Sequence, residues 1–159
     1  MIEREINIKY TVFSSIEEMN EDDVILLENA RAASNNSYSP YSNFSVGAAV
    51  KLSNGKIIKG SNQENAAYPA GLCAERVALF YAASDNPNDS VVSLAISARK
   101  GGEIVTGPIS PCGSCRQVIK ETEVRFGNKI RILLDGSDCI YLISGIENLL
   151  PLSFSNNDL

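Results

Sequence analysis

The sequence contains no histidine in its 159 residues. That absence excludes Ser-His-Asp and Cys-His catalysis, and it excludes histidine as a metal ligand. Acid–base chemistry near neutral pH must therefore use a carboxylate with an adjusted pKa, a lysine, a thiol or a water molecule bound to a metal.

Positive charge is also scarce: 14 lysines and arginines stand against 19 aspartates and glutamates, which gives a net charge of −5. A protein that binds polymeric nucleic acid or an anionic membrane normally carries a basic patch, so neither partner is expected. No apolar run approaches the roughly 20 residues that span a bilayer. The charged start, residues 1–6, lacks the apolar stretch of a signal peptide, so a cytoplasmic location is expected.

The pattern of apolar residues predicts one α/β domain over residues 21–159, preceded by an N-terminal extension, residues 1–20. Alternation of apolar and polar residues predicts that this extension is a strand over residues 1–13. Asn54-Gly55 between two apolar runs indicates a β-hairpin. The elements predicted after the extension are helices over 21–34, 73–84, 112–121 and 146–150 and strands over 44–52, 56–61, 91–97, 130–134 and 140–143. Their order indicates a mixed sheet with helices on both faces.

The most informative motif is the pair Cys112 and Cys115, two residues apart and just after Pro111, where a helix is predicted to begin. This spacing brings two sulfurs to one metal ion, although a redox pair and a chance pair remain as alternatives. A third cysteine, Cys73, begins another predicted helix and favours the metal interpretation. Three thiolates leave the fourth tetrahedral position of zinc open, which is typical of a catalytic site.

The fourth cysteine, Cys139, offers an alternative in which the zinc site is closed and structural. It lies at the start of a predicted strand, well removed from both helix starts. Because a free cysteine behaves as a small apolar residue, we interpret Cys139 as part of the core.

Glu75 follows Cys73 by two residues, and this Cys-Ala-Glu segment resembles the zinc-deaminase signature with cysteine in place of its histidine. We interpret Glu75 as a proton shuttle; alone, it would be an ordinary glutamate at a helix start. Arg116 follows Cys115 directly, and Arg76 lies three residues after Cys73. We expect them to donate to the thiolates and withdraw charge from the metal, although either one is also plausible as a solvated helix residue.

Longer segments extend this resemblance from about residue 26 to residue 154. They are SYSPYSNFSVGAAV (37–50), GSNQENAAYPAGLCAERVAL (60–79), SPCGSCRQV (110–118) and LLPLSF (149–154). Together they are similar to the cytidine deaminases of the small, homotetrameric, three-cysteine type. The resemblance implies a three-layer α/β/α sandwich with a mixed five-stranded sheet, one Zn²⁺ per subunit and active sites shared across subunits.

The resemblance also assigns substrate contacts. It implies that Phe44 stacks on the pyrimidine, that Asn62 and Glu64 hold the ribose, and that the backbone of Ala74 contacts the base. It further implies that Ala66, Tyr68 and Phe154 reach the pocket of a neighbouring subunit. On the sequence pattern alone, Phe44 would be a core residue, and Asn62 and Glu64 would be loop residues that satisfy backbone groups.

The expected function is hydrolytic deamination of free cytidine, and of 2′-deoxycytidine, by a water molecule that zinc activates, in pyrimidine salvage. Three alternatives remain: a deaminase of a nucleoside antibiotic, a deaminase of cytosine in nucleic acid, and a zinc-stabilised binding module without turnover. Glu64 opposes the first because those enzymes lack an acid there. The negative net charge opposes the second, and Glu75 beside an open metal position opposes the third.

Overall fold

The computed structural model describes the backbone of residues 1–159 and every side chain except that of Asn157. The α-helices that it describes are α1 (Glu21–Ala33), α2 (Ala74–Asp85) and α3 (Gly113–Phe126). Asn20 caps α1 by accepting a hydrogen bond from the Asp23 N–H, and acids fill the first turn, where they favour the positive end of the helix dipole. None of the described helices has both the length and the apolarity needed to cross a bilayer.

The strands form one sheet with the order β1-β7-β6-β4-β2-β3, and β5 pairs with the end of β4. Their bounds are β1 (Thr11–Phe13), β2 (Phe44–Leu52), β3 (Ile57–Ser61), β4 (Val91–Lys100), β5 (Glu103–Ile104), β6 (Arg131–Leu134) and β7 (Ile140–Ser144). β4 and β6 are parallel because α3 carries the chain back between them, and the other pairs are antiparallel. The predicted hairpin is β2–β3, with Gly55 at a φ of +88° in its turn.

Helices cover both faces of the sheet. On one face, Leu26, Leu27 and Ala30 of α1 pack against residues such as Ala49 of β2. On the other face, α2 and α3 pack against the neighbouring residues of the same strands, such as Ala48 and Val50. Alternate residues of β2 thus enter opposite cores, as the pleat requires. The predicted α/β/α class is confirmed, with seven strands rather than five because β1 and β5 join the sheet.

The strand predicted over residues 1–13 forms only at its end, Thr11–Phe13. These three residues pair with Ile140–Leu142 at the outer edge of β7, which is itself only five residues long. The ring of Tyr10 lies 4.9 Å from that of Tyr141 and continues the contact by one residue. Alternation in a sequence indicates a strand, but a strand forms only where a partner edge is available.

Two predicted element ends also differ. α3 continues to Phe126 rather than ending at residue 121, because the left-handed Gly127 (φ +67°) is the residue that terminates it. The C-terminal helix predicted over residues 146–150 is a single 3₁₀ turn, Ile146–Asn148.

A buried ion pair joins α1 to the end of β6. Asp135 is fully buried, and its two carboxylate oxygens accept hydrogen bonds from Arg31 Nη2 and Nε at 2.8 and 2.9 Å. The Ser97 hydroxyl of β4 donates to the same carboxylate at 2.7 Å. The pair therefore ties one helix to two strands in the centre of the sheet.

Replacing Asp135 with alanine is expected to lower the free energy of unfolding by about 3–5 kcal/mol, because it leaves Arg31 inside the protein without its partner. Glu28→Gln is the matched control: Glu28 also pairs with Arg31, but 53% of its side chain is exposed. That change should cost less than about 1 kcal/mol. Urea denaturation measures both values, and equal losses would contradict the assignment of Asp135 as the partner that matters.

Candidate metal centre and substrate pocket

Three thiols meet where α2 and α3 begin. Cys73 and Cys112 are the N-cap residues of α2 and α3, and Cys115 lies in the first turn of α3. Their sulfurs all lie within 4.8 Å of one another, with Cys73 Sγ 3.8 Å from Cys112 Sγ and Cys112 Sγ 3.5 Å from Cys115 Sγ. The structure therefore brings together the three cysteines that the sequence predicts as ligands.

These separations fit a zinc ion. Tetrahedral zinc with Zn–S bonds of about 2.3 Å requires its sulfurs to be roughly 3.8 Å apart. The distances from Cys112 Sγ to the other two sulfurs lie within about 0.3 Å of that value, so small side-chain adjustments suffice. Cys139 lies outside the cluster, but it is half-buried and belongs to neither buried core, so its interpretation as a core residue is not supported.

The surroundings of the cluster favour a thiolate at Cys73. A hydrogen bond from Cys115, assisted by Arg76, lowers the pKa of Cys73 to about 5. The same bond and burial raise the pKa of Cys115, and the nearby Glu75 carboxylate adds to the rise. The positive ends of two helix dipoles also stabilise negative charge at this point.

Glu75 lies in the first turn of α2 and is 4% exposed. Burial is the main cause that raises the pKa of its carboxyl above the ordinary glutamate range. The side chain lines the same cavity as Cys73 and Cys112. A carboxyl group with this elevated pKa, next to a metal site, is suited to take up and return a proton.

A close helix–sheet contact holds α2 in position. A Cβ atom on Gly60 of β3 would lie 2.5 Å from the Ala74 carbonyl oxygen and 2.6 Å from the Ala78 nitrogen. Only glycine lets β3 pass this close to the first turn of α2, the turn that carries Glu75. The β2–β3 hairpin thereby fixes how far the Glu75 side chain projects into the cavity.

Arg76 contacts the cluster as the sequence predicts. Its Nη2 donates to Cys73 Sγ at 3.7 Å, and also to the Gly71 carbonyl oxygen at 3.5 Å. Its Nε is a buried nitrogen that has no hydrogen-bond partner among the described residues. The guanidinium therefore has a donor to spare for charge that arises at the thiol cluster.

Arg116 differs from the expectation. Its Nε donates to the Pro111 carbonyl oxygen at 2.8 Å, and its Nη1 donates to the Leu149 carbonyl oxygen at 2.7 Å. Both acceptors are backbone groups, one just before Cys112 and the other in the C-terminal segment. The hydrogen bonds of Arg116 thus fasten that segment to the start of α3 instead of reaching a sulfur.

A cavity of about 590 Å³ opens beside the thiols, a size suited to a small organic ligand. Four of the predicted substrate-binding residues line it: Asn62, Glu64, Tyr68 and Ala74. The other three, Phe44, Ala66 and Phe154, are not among its lining residues within the described part of the chain. Their roles at a pyrimidine or in a neighbouring subunit stay predictions.

Asn62 and Glu64 each hold backbone groups of the cavity wall. The Asn62 amide bonds to the N–H of Val46 and the carbonyl oxygen of Phe44, both in β2. The Glu64 carboxylate accepts from the N–H groups of Tyr41 and Ser42. A hydrogen bond with the Ser42 side chain is the main cause that lowers the pKa of Glu64, and these N–H groups add to it. The sequence-based alternative, in which these residues satisfy the backbone, therefore describes part of what they do.

Several cavity residues were not singled out from the sequence. Ile96 comes from β4, and Ile109 comes from the loop before α3. Both belong to apolar or irregular stretches with no distinctive pattern, so no sequence signal separates them from ordinary packing residues. They lie in the cavity because the connection from β4 to α3 brings Ile96 and Ile109 together beside the start of α3.

Comparisons with known proteins agree on one family. The family model for the cytidine and deoxycytidylate deaminase zinc-binding region matches residues 20–126. A cytidine deaminase of Halalkalibacterium halodurans is 40% identical over 143 residues, which cover 87% of this chain and 98% of that protein. A cytidine deaminase of Sporosarcina psychrophila is 39% identical over 142 residues, 84% of this chain and 92% of that protein.

Solved structures give the same result. The crystal structure of a cytidine deaminase from Burkholderia pseudomallei superimposes with a TM-score of 0.70 at 36% identity, covering 86% of this chain and all of that one. The cytidine deaminase of Mycobacterium tuberculosis gives a TM-score of 0.66 at 31% identity, with 86% and 99% of the two chains covered.

Proposed function

Because the chain belongs to the cytidine and deoxycytidylate deaminase family, we propose that it is a zinc-dependent enzyme that hydrolyses cytidine to uridine and ammonia. One observation carries the proposal: three converging thiols and the buried Glu75 line the cavity that also contains Asn62 and Glu64. The deoxy form, 2′-deoxycytidine, is a second proposed substrate.

Cys73, Cys112 and Cys115 would hold one zinc ion per chain. Zinc with three ligands of this kind supplies a Lewis acid that lowers the pKa of a water molecule. Glu75 then performs the proton transfers. It accepts a proton from the water that adds to C4 of the base and delivers this proton to N3. It then takes the proton of the new C4 hydroxyl and passes it to the departing amino group. The C4–N bond breaks, and the sum is cytidine plus water giving uridine plus ammonia.

The charge of the cavity supports a nucleoside rather than a nucleotide or a polymer. Its lining contains the acids Glu64 and Glu75, and its one lining cation, Arg76, donates to Cys73. A phosphate group would find only one cation in this described lining, Arg76, whose guanidinium is directed at the thiol cluster. Glu64 also supports ribose over the antibiotic alternative, because a carboxylate accepts from sugar hydroxyls.

Arg76 is proposed to offset the charge of the site, since zinc with three thiolates carries a net charge of −1. Arg76→Gln is expected to lower kcat about 10- to 100-fold with the zinc content unchanged. Arg125→Gln is the control, since Arg125 donates to the Pro87 carbonyl oxygen and lies at the far end of α3. Equal kcat values for Arg76→Gln and the wild type, at equal zinc content, would contradict this role.

A homotetramer with active sites shared between subunits is also proposed. Tyr68 is 79% exposed at the cavity, and Phe154 is 58% exposed in the C-terminal segment that Gln117 and Arg116 fasten. Large apolar side chains exposed near a site are suited to contact with another subunit. Sedimentation equilibrium measures the assembly; a monomer with full activity would overturn the shared site.

Three reduced thiols in the site suit a reducing compartment, which supports the proposed cytoplasmic location. Uridine formed there from free cytidine can be reused, so we place the reaction in pyrimidine salvage.

Purified zinc-loaded protein, incubated separately with cytidine, 2′-deoxycytidine, free cytosine and single-stranded DNA, tests the function. Equal amounts of ammonia and uridine from cytidine are expected, with neither free cytosine nor the DNA converted. Conversion of the DNA alone, or of no substrate, would overturn the proposal.

A further inference from the structure

The hydrogen-bonding groups of Asn62 are almost fully used before any ligand binds. An amide side chain offers two acceptor positions on its oxygen and two N–H donors. Asn62 Oδ1 accepts from the Val46 N–H at 2.8 Å and from the Ser37 hydroxyl at 2.6 Å, and Nδ2 donates to the Phe44 carbonyl oxygen at 2.9 Å. One N–H remains, and Asn62 lines the cavity.

These bonds also fix which way the amide faces. A flipped amide would set Nδ2 against the Val46 N–H and Oδ1 against the Phe44 carbonyl oxygen, so two attractive contacts would become repulsive. Asn62 therefore offers the cavity a donor and no acceptor.

Ser37 adds a second constraint. Its oxygen lies 2.6 Å from Asn62 Oδ1 and 3.1 Å from Ser39 Oγ, and Ser39 Oγ lies 3.3 Å from Ser45 Oγ. Ser37 has a single hydroxyl proton and an amide oxygen can only accept, so this proton goes to Asn62 Oδ1 at 2.6 Å rather than to Ser39 Oγ at 3.1 Å. The hydroxyls of Ser45, Ser39 and Ser37 thus form a row that ends at the Asn62 amide oxygen.

Glu64 complements this donor. Its Oε2 accepts from the N–H groups of Tyr41 and Ser42, and the Ser42 side chain also hydrogen-bonds to the carboxylate. A carboxylate has about four acceptor positions, so Glu64 can still accept from a ligand in the cavity. A hydroxyl group can accept from Asn62 and donate to Glu64 at once, whereas a hydrogen atom can do neither.

We propose that Ser37 is a positioning residue that holds Asn62 as a donor for a ribose hydroxyl, whose proton Glu64 accepts. This inference rests on the proposed function, because it assumes that the ligand is a nucleoside. Ser37 touches no reacting atom, so its effect lies in binding the sugar and not in the chemistry at C4.

The test compares Ser37→Ala with the wild-type holoenzyme on two ligands. One is cytidine; the other is 2′,3′-dideoxycytidine, which lacks both ring hydroxyls and is measured as a competitive inhibitor of cytidine turnover. Loss of one such hydrogen bond should raise KM for cytidine about 3- to 10-fold. We expect kcat and the inhibition constant of the dideoxy compound to change less than about twofold.

Two further variants keep the test decisive. Ser37→Thr retains the hydroxyl and should restore the KM for cytidine. Ser37→Cys keeps the shape with a weaker donor, and it carries the same comparison if Ser37→Ala does not fold. The inference is overturned if Ser37→Ala weakens the binding of both ligands equally, or if it leaves the KM for cytidine unchanged. A wild-type enzyme that does not convert cytidine overturns the proposed function instead, and this inference with it.

Discussion

Replacing Glu75 with glutamine is expected to lower kcat for cytidine by a factor of about 10²–10⁴, with zinc and fold retained. Glutamine has nearly the shape of glutamate but cannot take up and return a proton. Glu75 is buried in the cavity wall, and its raised pKa suits both the acceptance and the return of a proton. Steady-state kinetics, metal analysis and circular dichroism on one preparation give the three values.

Glu123→Gln is the matched control for this experiment. Glu123 is also a buried glutamate with a raised pKa, but its carboxylate accepts from the Ile130 and Ile146 N–H groups between α3, β6 and β7. Its replacement should lower stability with kcat nearly unchanged. Comparable loss of kcat in both variants would indicate a general effect of buried carboxylates, and full activity of a folded Glu75→Gln would exclude Glu75 as the proton carrier.

Replacing Cys112 with serine should remove the zinc and with it the activity, with kcat reduced by a factor of at least about 10³. Cys112 Sγ lies within 4 Å of the sulfurs of Cys73 and Cys115. Without it, only two thiolates remain to hold the zinc ion. Because Cys112 is exposed, the substitution should create no core cavity. Metal analysis after dialysis and a deamination assay measure the two outcomes.

Cys139→Ser is the control for the ligand set, because this fourth cysteine lies outside the cluster. It should keep one zinc per chain and wild-type kcat, at some cost in stability. Zinc retained by Cys112→Ser and lost from Cys139→Ser would reverse the assignment. Zinc and activity retained by both variants would remove the three-thiolate site from the mechanism.

Local signals explain why much of the architecture could be predicted from the sequence. The acids at the start of α1, the Asn54-Gly55 turn and the cysteines at two helix starts each have a local physical cause, and all are found at the expected positions. The extent of α3 was underestimated, because the predicted helix ended at residue 121, six residues before the Gly127 that stops it. The strand over residues 1–13 was overestimated because its length depends on β7, far away in the sequence.

The site was less completely predictable, since hydrogen-bond partners depend on tertiary placement. Arg76 and Arg116 both lie close after a ligand cysteine, three residues and one residue later, and both were expected to donate to thiolates. Arg76 donates to a sulfur, but Arg116 donates to two carbonyl oxygens. Likewise, nothing in the segment that contains Ser37 indicates that its hydroxyl meets Asn62, which is 25 residues away. Sequence spacing identified the chemistry, and the fold determined which side chains support it.

The most direct test of a zinc-dependent cytidine deaminase is to restore activity to metal-free protein by titration with Zn²⁺ while ammonia release from cytidine is followed. We expect no ammonia release without metal. The rate of ammonia release should then rise linearly with added Zn²⁺ and stop rising at one zinc ion per chain. Turnover by the metal-free protein at the wild-type rate, or a fully zinc-loaded protein that releases no ammonia from cytidine, would contradict the account.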